Sequence, residues 1–389
     1  MIMIENATAV FFPRSVDAPV DKKQQVILAS ELIRALEMYA RQSQTKVNHL
    51  DEGADRVGTE NLSLILELLN DYRLNGLYSR RQKIRTVNSG TPNWKATISQ
   101  DASIHRPGSS PVYLDYRGTR RRHYADSEVS RIHAGIIRGI DERYSWILSG
   151  KTGRIAPELE TVQRVKKDVR YHASVLRKEL SSVYSDRDIW LVSQLIAFLE
   201  KETGDSESLK LAGLTQFHFA WEHMLSRTLE YAFPINKILP APTYKKDNGG
   251  FEDAFASSMR TDIALKHPEK NMVAIADAKY YSAQSVRTAP GWHDLVKQFF
   301  YEKAFKAVAP EVSVKNAVIF PGTGGPFASI HMKSKLDGSL YDIEFPSISC
   351  FYINPSELVH HFVYGKKLSA LTQELFGVDI AAIESVRID

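Results

Sequence analysis

Cysteine is almost missing from this chain: Cys350 is the one such residue among 389. A single thiol excludes an internal disulfide framework and any cysteine-rich zinc site. Its setting, Ser347-Ile-Ser-Cys350-Phe-Tyr-Ile353, reads as a strand in which a small buried thiol packs as an apolar residue. Long apolar runs are missing too. No stretch approaches the roughly 20 residues that a membrane-spanning helix needs. The start, Met1-Ile-Met-Ile-Glu-Asn6, has neither the charged end nor the long apolar core of a secretory signal. The chain is therefore read as cytoplasmic, with no membrane partner. Its histidines are scattered without a His-Glu-x-x-His pair, which argues against a zinc hydrolase. A phosphate-binding loop is also lacking. Pro321-Gly-Thr-Gly-Gly-Pro326 is glycine-rich but has no Gly-Lys-Ser/Thr ending, and it follows a strand as a turn would. Any nucleotide hydrolysis must come from another polypeptide.

What is present suggests two domains, since 389 residues exceed a single average core. Hydrophobic residues at 43% and charged residues at 25% are ordinary for a globular protein, and a formal charge of +4 permits polyanion binding without demanding it. Val26, Leu28, Leu32, Leu36 and Tyr39 recur at helical spacing and predict a helix over 24–39. A second helix is expected from about Glu60 to Leu74, with Thr59 as N-cap and Gly76 as its end. An irregular, basic stretch follows to about Tyr124, with short strands inside it. Helical patterns resume over 126–147, 157–184 and 186–200. The polar break Gly204-Asp-Ser-Glu-Ser208 then separates a mainly helical N-terminal domain, 1–205, from a C-terminal domain, 206–389. Beyond the break, a helix over 215–232 leads into strands at about 260–265, 272–281, 314–320, 329–333, 341–345 and 348–353. A helix over 292–307 interrupts them, and short helices at 355–364 and 370–375 follow. That order is α/β, a mixed sheet covered by helices.

The stretch that carries chemistry is Arg260-Thr-Asp262-Ile-Ala-Leu265, then Met272-Val-Ala-Ile-Ala-Asp277-Ala-Lys279. Strand periodicity puts Val273, Ile275, Asp277 and Lys279 on one face. Lys266-His-Pro-Glu-Lys-Asn271 is a polar turn, so a hairpin returns Asp262 to the side of Asp277. Two carboxylates held that close repel each other and suit a hard divalent cation such as Mg²⁺. A lone Asp-x-Lys is usually a surface ion pair; here it ends an apolar strand that follows a second acid across a turn. Glu222, on the helix before the first strand, could add a third carboxylate or hold a metal-bound water, or could face solvent. This ordered set points to a metal-dependent phosphodiesterase site of the PD-(D/E)XK type, with catalytic roles for Asp262, Asp277, Lys279 and Glu222.

Asp277-Ala-Lys-Tyr-Tyr281, Gly291-Trp-His-Asp-Leu-Val-Lys-Gln298-Phe-Phe-Tyr301 and Asn316-Ala-Val-Ile-Phe-Pro321 together resemble the LlaJI-type restriction endonuclease family. That family is similar to McrC, the nuclease subunit of McrBC-type systems. Asn93-Trp-Lys-Ala-Thr-Ile98 and Pro111-Val-Tyr-Leu-Asp115 extend the resemblance into the N-terminal half. It implies a PD-(D/E)XK domain with Asp262 and Asp277 as metal ligands and Lys279 as a catalytic residue. It also implies that Gln298 and Tyr301 line the site and contact substrate; the bland alternative for Gln298 is a polar residue on an apolar helix. One departure is Thr261, where the motif's name expects proline. Members of such systems work with an AAA+ McrB-like GTPase that recognises and translocates DNA.

Arg80, Arg81, Lys83 and Arg85, with Arg117 and Arg120-Arg-Arg122, concentrate positive charge near Tyr78, Trp94, Tyr113 and Tyr116. Such clusters supply phosphate contacts and base stacking. Arg80, Arg81, Arg121 and Arg122 are the candidate DNA contacts, with docking of the partner subunit as the equal alternative. The basic run Arg164–Arg170 is read as a solvated helix face. Three functions stay open at this stage: a Mg²⁺-dependent DNA endonuclease subunit of a GTP-dependent restriction system, a nuclease-like module that activates a ring GTPase without cutting, and a stand-alone nuclease for repair or mobile-element processing.

Overall fold

A computed structural model describes residues 2–4, 7–10, 12–44, 56–57, 59–101, 103–104, 110–124, 127–204, 213–214, 217–255 and 258–377. The chain divides into two compact units. One comprises Met1–Thr59 with Leu211–Asp389, the other Glu60–Lys210. This differs from the expected division at 205/206, because the first 59 residues join the C-terminal half. The physical reason is burial. In the helix Lys22–Gln44, Leu28, Leu32 and Ala35 share one core with Trp221, Met224 and Leu225 of the helix Phe217–Thr228. Leu358, Val359 and Phe362 of the helix Pro355–Val363 complete that core. Of the polar break expected at 204–208, residues 205–208 lie outside the described residues.

The first unit is built on a five-stranded mixed sheet. Its spatial order is Ile263–Lys266, Met272–Ala278, Ser313–Pro321, Ile348–Ile353, Ser329–Ile330. The outer pairs are antiparallel and the two inner pairs parallel. Parallel strands need cover on both faces, and Met272–Ala278 reads accordingly as a nearly continuous apolar run. Val273 and Ile275 pack against Ala304 and Phe305 of the helix Trp292–Val308. Ala274, Ala276 and Ala278 line the opposite face, where the fully buried Trp221 indole packs. Cys350 lies buried in its strand, and burial pushes its thiol up to about 11, as suits a packing role. The strand expected at 341–345 is absent: those residues form a turn in which the Phe345 N–H donates to the Tyr341 carbonyl. Its apolar residues alternate with acids, but Gly338 at φ +78° turns the chain just before it.

The second unit holds the helices Thr59–Asn75, Glu128–Ser149, Val169–Leu180 and Asp186–Gly204. Gly76, at φ +71°, ends the first of them as expected. The helix expected over 157–184 is shorter. A 3₁₀ turn covers Pro157–Thr161, and Asp168 caps the next helix by accepting from the Tyr171 N–H at 2.8 Å. Residues 164–168 therefore precede a helix rather than sit on one.

The basic stretch read as irregular is a regular antiparallel pair, Arg80–Val87 with Arg117–Tyr124, flanked by Thr91–Pro92. Gly118 makes the close approach possible, since a Cβ there would strike the Ser89 carbonyl. No helix of the described residues is long and apolar enough to cross a membrane.

Candidate active site

The hairpin forms in the register that the turn implies, with Ile263 opposite Ala276. One step further along that register sets Asp262 beside Asp277. Their carboxyl groups are close enough for the charge of one to act on the other, and Asp262 Oδ2 accepts from the Ala278 N–H at 2.9 Å. Lys279 follows at the strand end, its N–H donating to the Ile319 carbonyl at 3.0 Å. Its Nζ lies 2.8 Å from Asp277 Oδ2. The three residues that the sequence singled out therefore stand together.

The electrostatics of the group follow from crowding. Asp262 is exposed as a residue, yet the protein around its carboxyl takes away part of its water. That loss of water, with Asp277 next to it, pushes Asp262 up to about 6. Glu222 is half-buried on the helix Phe217–Thr228; burial first, then Asp262 and Asp277, push it up to about 8. Burial opposes the charge of Lys279, but the adjacent Asp277 and Asp294 outweigh it and hold the ammonium above its ordinary range.

Three side chains hold the backbone around these acids. Asn236 grips Thr261 from both sides: its Oδ1 accepts from the Thr261 N–H at 2.9 Å, and its Nδ2 donates to the Thr261 carbonyl at 3.0 Å. A proline at 261 would have no N–H for the first of these bonds. Tyr301 donates its hydroxyl to the Arg260 carbonyl at 2.8 Å and is near enough for the charges of Asp262 and Asp277 to act on it. Gln298 corrects the expectation that it contacts substrate. It is 2% exposed, and its Nε2 donates to the carbonyls of Ile275 at 2.8 Å and Ala317 at 3.2 Å. Its amide staples two parallel strands from the helix above them.

One residue of the group was not anticipated. Asp294, in the first turn of the helix Trp292–Val308, accepts from Lys279 Nζ at 2.8 Å. The signal was present in the sequence: an acid four residues before Gln298 shares its helix face.

Among the described residues, no three histidine, cysteine or carboxylate side chains close on one point as a ready-made metal cage. Glu222, expected as a third direct ligand, feels the aspartates but does not complete such a cage. An open pair of carboxylates with an excess of negative charge still suits Mg²⁺, which takes one or two carboxylates and keeps several waters. Asp262 and Asp277 would hold it.

The arginines expected at DNA are drawn together in the second unit. Gln82 pairs with Arg122, Lys83 with Arg121, Arg81 with His123 and Arg80 with Tyr124. The side-chain contacts expected of Arg80, Arg81, Arg121 and Arg122 lie outside the described residues. Arg117 is engaged by Asp101, with Nε 3.1 Å from Oδ2.

A component of the type II restriction enzyme BsuMI, YdjA of Bacillus subtilis strain 168, is 23% identical over 391 residues. The match covers 96% of this chain and 82% of that protein. Residues 1–346 match the LlaJI restriction endonuclease family, a span that includes both strands of the hairpin and the helix that carries Asp294. The chain belongs to the LlaJI restriction endonuclease family.

Proposed function

We propose that this chain is the Mg²⁺-dependent DNA endonuclease subunit of a GTP-dependent restriction system, with a PD-(D/E)XK nuclease fold in its first unit. The observation that carries the reading is the hairpin that sets Asp262 beside Asp277, with Lys279 Nζ 2.8 Å from Asp277 Oδ2, at one end of a covered mixed sheet. When bound by the aspartates, Mg²⁺ supplies Lewis-acid polarisation of a phosphoryl oxygen and a lowered pKa for a bound water. Lys279 orients the attacking water through its Nζ and offsets charge that develops on the phosphate as the P–O bond breaks. Glu222 is near enough for the charges of Asp262 and Asp277 to act on it and adds a further carboxyl group. Tyr301 and Asn236 fix the backbone on which Asp262 stands, and Gln298 fixes that of Asp277.

The nucleotide-hydrolysing component of such a system is a separate AAA+ McrB-like GTPase. Two facts support a partner: Gly150-Lys-Thr152 follows a helix and has Ser145 where a phosphate-binding loop needs its first glycine, and the relative is named as a component of an enzyme. The paired basic strands of the second unit supply a surface for DNA phosphates.

Cleavage of DNA by the chain with its partner, GTP and Mg²⁺ is the direct test. Asp277→Ala and Lys279→Ala should each lower the rate at least about 100-fold, in the range seen when a charge-stabilising group is removed from an active site, while folding and partner binding persist. Undiminished cleavage by both variants would sink the site. Wild-type protein that stimulates the GTPase but never cuts would establish the non-cutting module instead.

A further inference from the structure

We propose that Asp294 is a positioning residue that keeps Lys279 in place when a divalent cation occupies the aspartate pair; this rests on the nuclease reading above. Lys279 Nζ lies 2.8 Å from Asp277 Oδ2 and 2.8 Å from Asp294 Oδ1. The two acids arrive from different elements, one from the strand Met272–Ala278 and one from the helix Trp292–Val308. They differ in how heavily they are engaged. Asp277 stands beside Asp262 and is paired with Lys279, and the proposed cation uses the same carboxylate. A divalent ion there repels the ammonium and competes for its oxygen acceptors. With Asp277 as its sole anchor, a flexible lysine side chain would swing away as the cation arrived.

Asp294 supplies an anchor that the cation does not contest. Its place in the first helical turn favours a carboxylate, because the exposed N–H groups there carry partial positive charge. The N-cap residue is Gly291, which has no capping side chain, and the Asp294 N–H donates to the Gly291 carbonyl at 3.0 Å. One turn on, Gln298 binds the Ile275 carbonyl of the same strand that carries Asp277. Helix and strand are thereby locked together, and the span from Asp294 to Lys279 is set by the fold rather than by the cation.

The test uses the full chain in six forms: wild type, Asp277→Ala, Asp294→Ala, Asp294→Asn, Lys279→Ala and the double Asp294→Ala/Lys279→Ala. Mg²⁺ binding is measured by calorimetry, and acetylation of Lys279 by acetic anhydride is quantified by mass spectrometry with and without Mg²⁺. Asp294→Ala should bind Mg²⁺ as wild type does, and its Lys279 should become several-fold more reactive once Mg²⁺ is present. The cleavage kcat should fall about 10- to 100-fold, the usual range for residues that orient a metal-site group, with KM for DNA unchanged. Asp294→Asn, which keeps an acceptor oxygen, should recover part of that loss. The double variant should be no slower than Lys279→Ala, since Asp294 acts through Lys279.

Equal Lys279 labelling in wild type and Asp294→Ala with Mg²⁺ bound would overturn the proposal. So would a loss of Mg²⁺ affinity in Asp294→Ala as large as in Asp277→Ala, which would make Asp294 a ligand. Protein that binds Mg²⁺ but never cuts overturns the nuclease reading alone, because labelling still reports the clamp. Protein that binds no Mg²⁺ overturns both.

Discussion

Glu222 and Asp262 hold their negative charges against the protein when no cation is present. Burial and mutual repulsion raise both carboxyls, Asp262 from 3.8 to about 6 and Glu222 from 4.5 to about 8. The sign of the stability effect follows. Between the unfolded and folded values, the folded chain binds more protons than the unfolded one. These groups therefore favour folding fully below about pH 4, and that contribution is lost as pH rises towards about 8. In a chelator-containing buffer, the melting temperature of wild type should drop by a few degrees relative to Glu222→Gln as pH is raised across that window. Mg²⁺ bound to the deprotonated pair should restore stability, and more so at the alkaline end. Scanning fluorimetry at several pH values, with and without Mg²⁺, reads both effects. A gap between the two proteins that stays constant with pH would show that Glu222 ionises as if in water.

At the scale of elements, the paired strands Arg80–Val87 and Arg117–Tyr124 set like charges opposite one another, most directly Lys83 against Arg121. If the proposed DNA reading holds, basic residues at these paired positions meet phosphates. Reversing both charges, Lys83→Glu with Arg121→Glu, should weaken DNA binding and lower the slope of log affinity against log salt by about 2. An unchanged slope, with binding of the GTPase partner lost instead, would assign the ribbon to docking.

This ribbon also shows where sequence reading stops. Basic residues at adjacent positions, Arg80 with Arg81 and Arg120 to Arg122, hide the period-two alternation of a strand, so the segment looks irregular until its partner strand is seen to pair with it. The Asp262–Asp277–Lys279 hairpin was legible because everything it needs is local: an apolar run, a short polar turn and a fixed register. Asn236 and Asp294 act across longer separations, on Thr261 and Lys279, and spacing alone does not announce such pairs. Gln298 was noticed for its motif, but a polar residue on an apolar helix can face a ligand or a backbone carbonyl, and only packing decides.

At the scale of the whole molecule, the least expected feature is that the chain returns to its own beginning to complete a core. Leu28, Leu32 and Ala35 of the helix Lys22–Gln44 lie in the cluster that covers one face of the mixed sheet. A unit cut from the C-terminal half alone would therefore expose the apolar surface of Trp221, Leu225 and Phe362 that this cluster buries. Exposure of such an area removes much of the driving force for folding. Leu32 is 4% exposed, and Leu32→Ala should cost about 2–5 kcal/mol through lost contacts and the cavity left behind. The fragment 211–389 should bind a hydrophobic dye and lack a cooperative melt, and co-expression with residues 1–59 should restore one. The fragment 60–210 has its own core and should melt cooperatively by itself. A sharp transition for 211–389 alone, near the midpoint of the full chain, would show that the first helix is an accessory and that the boundary read from the sequence is the one that governs folding.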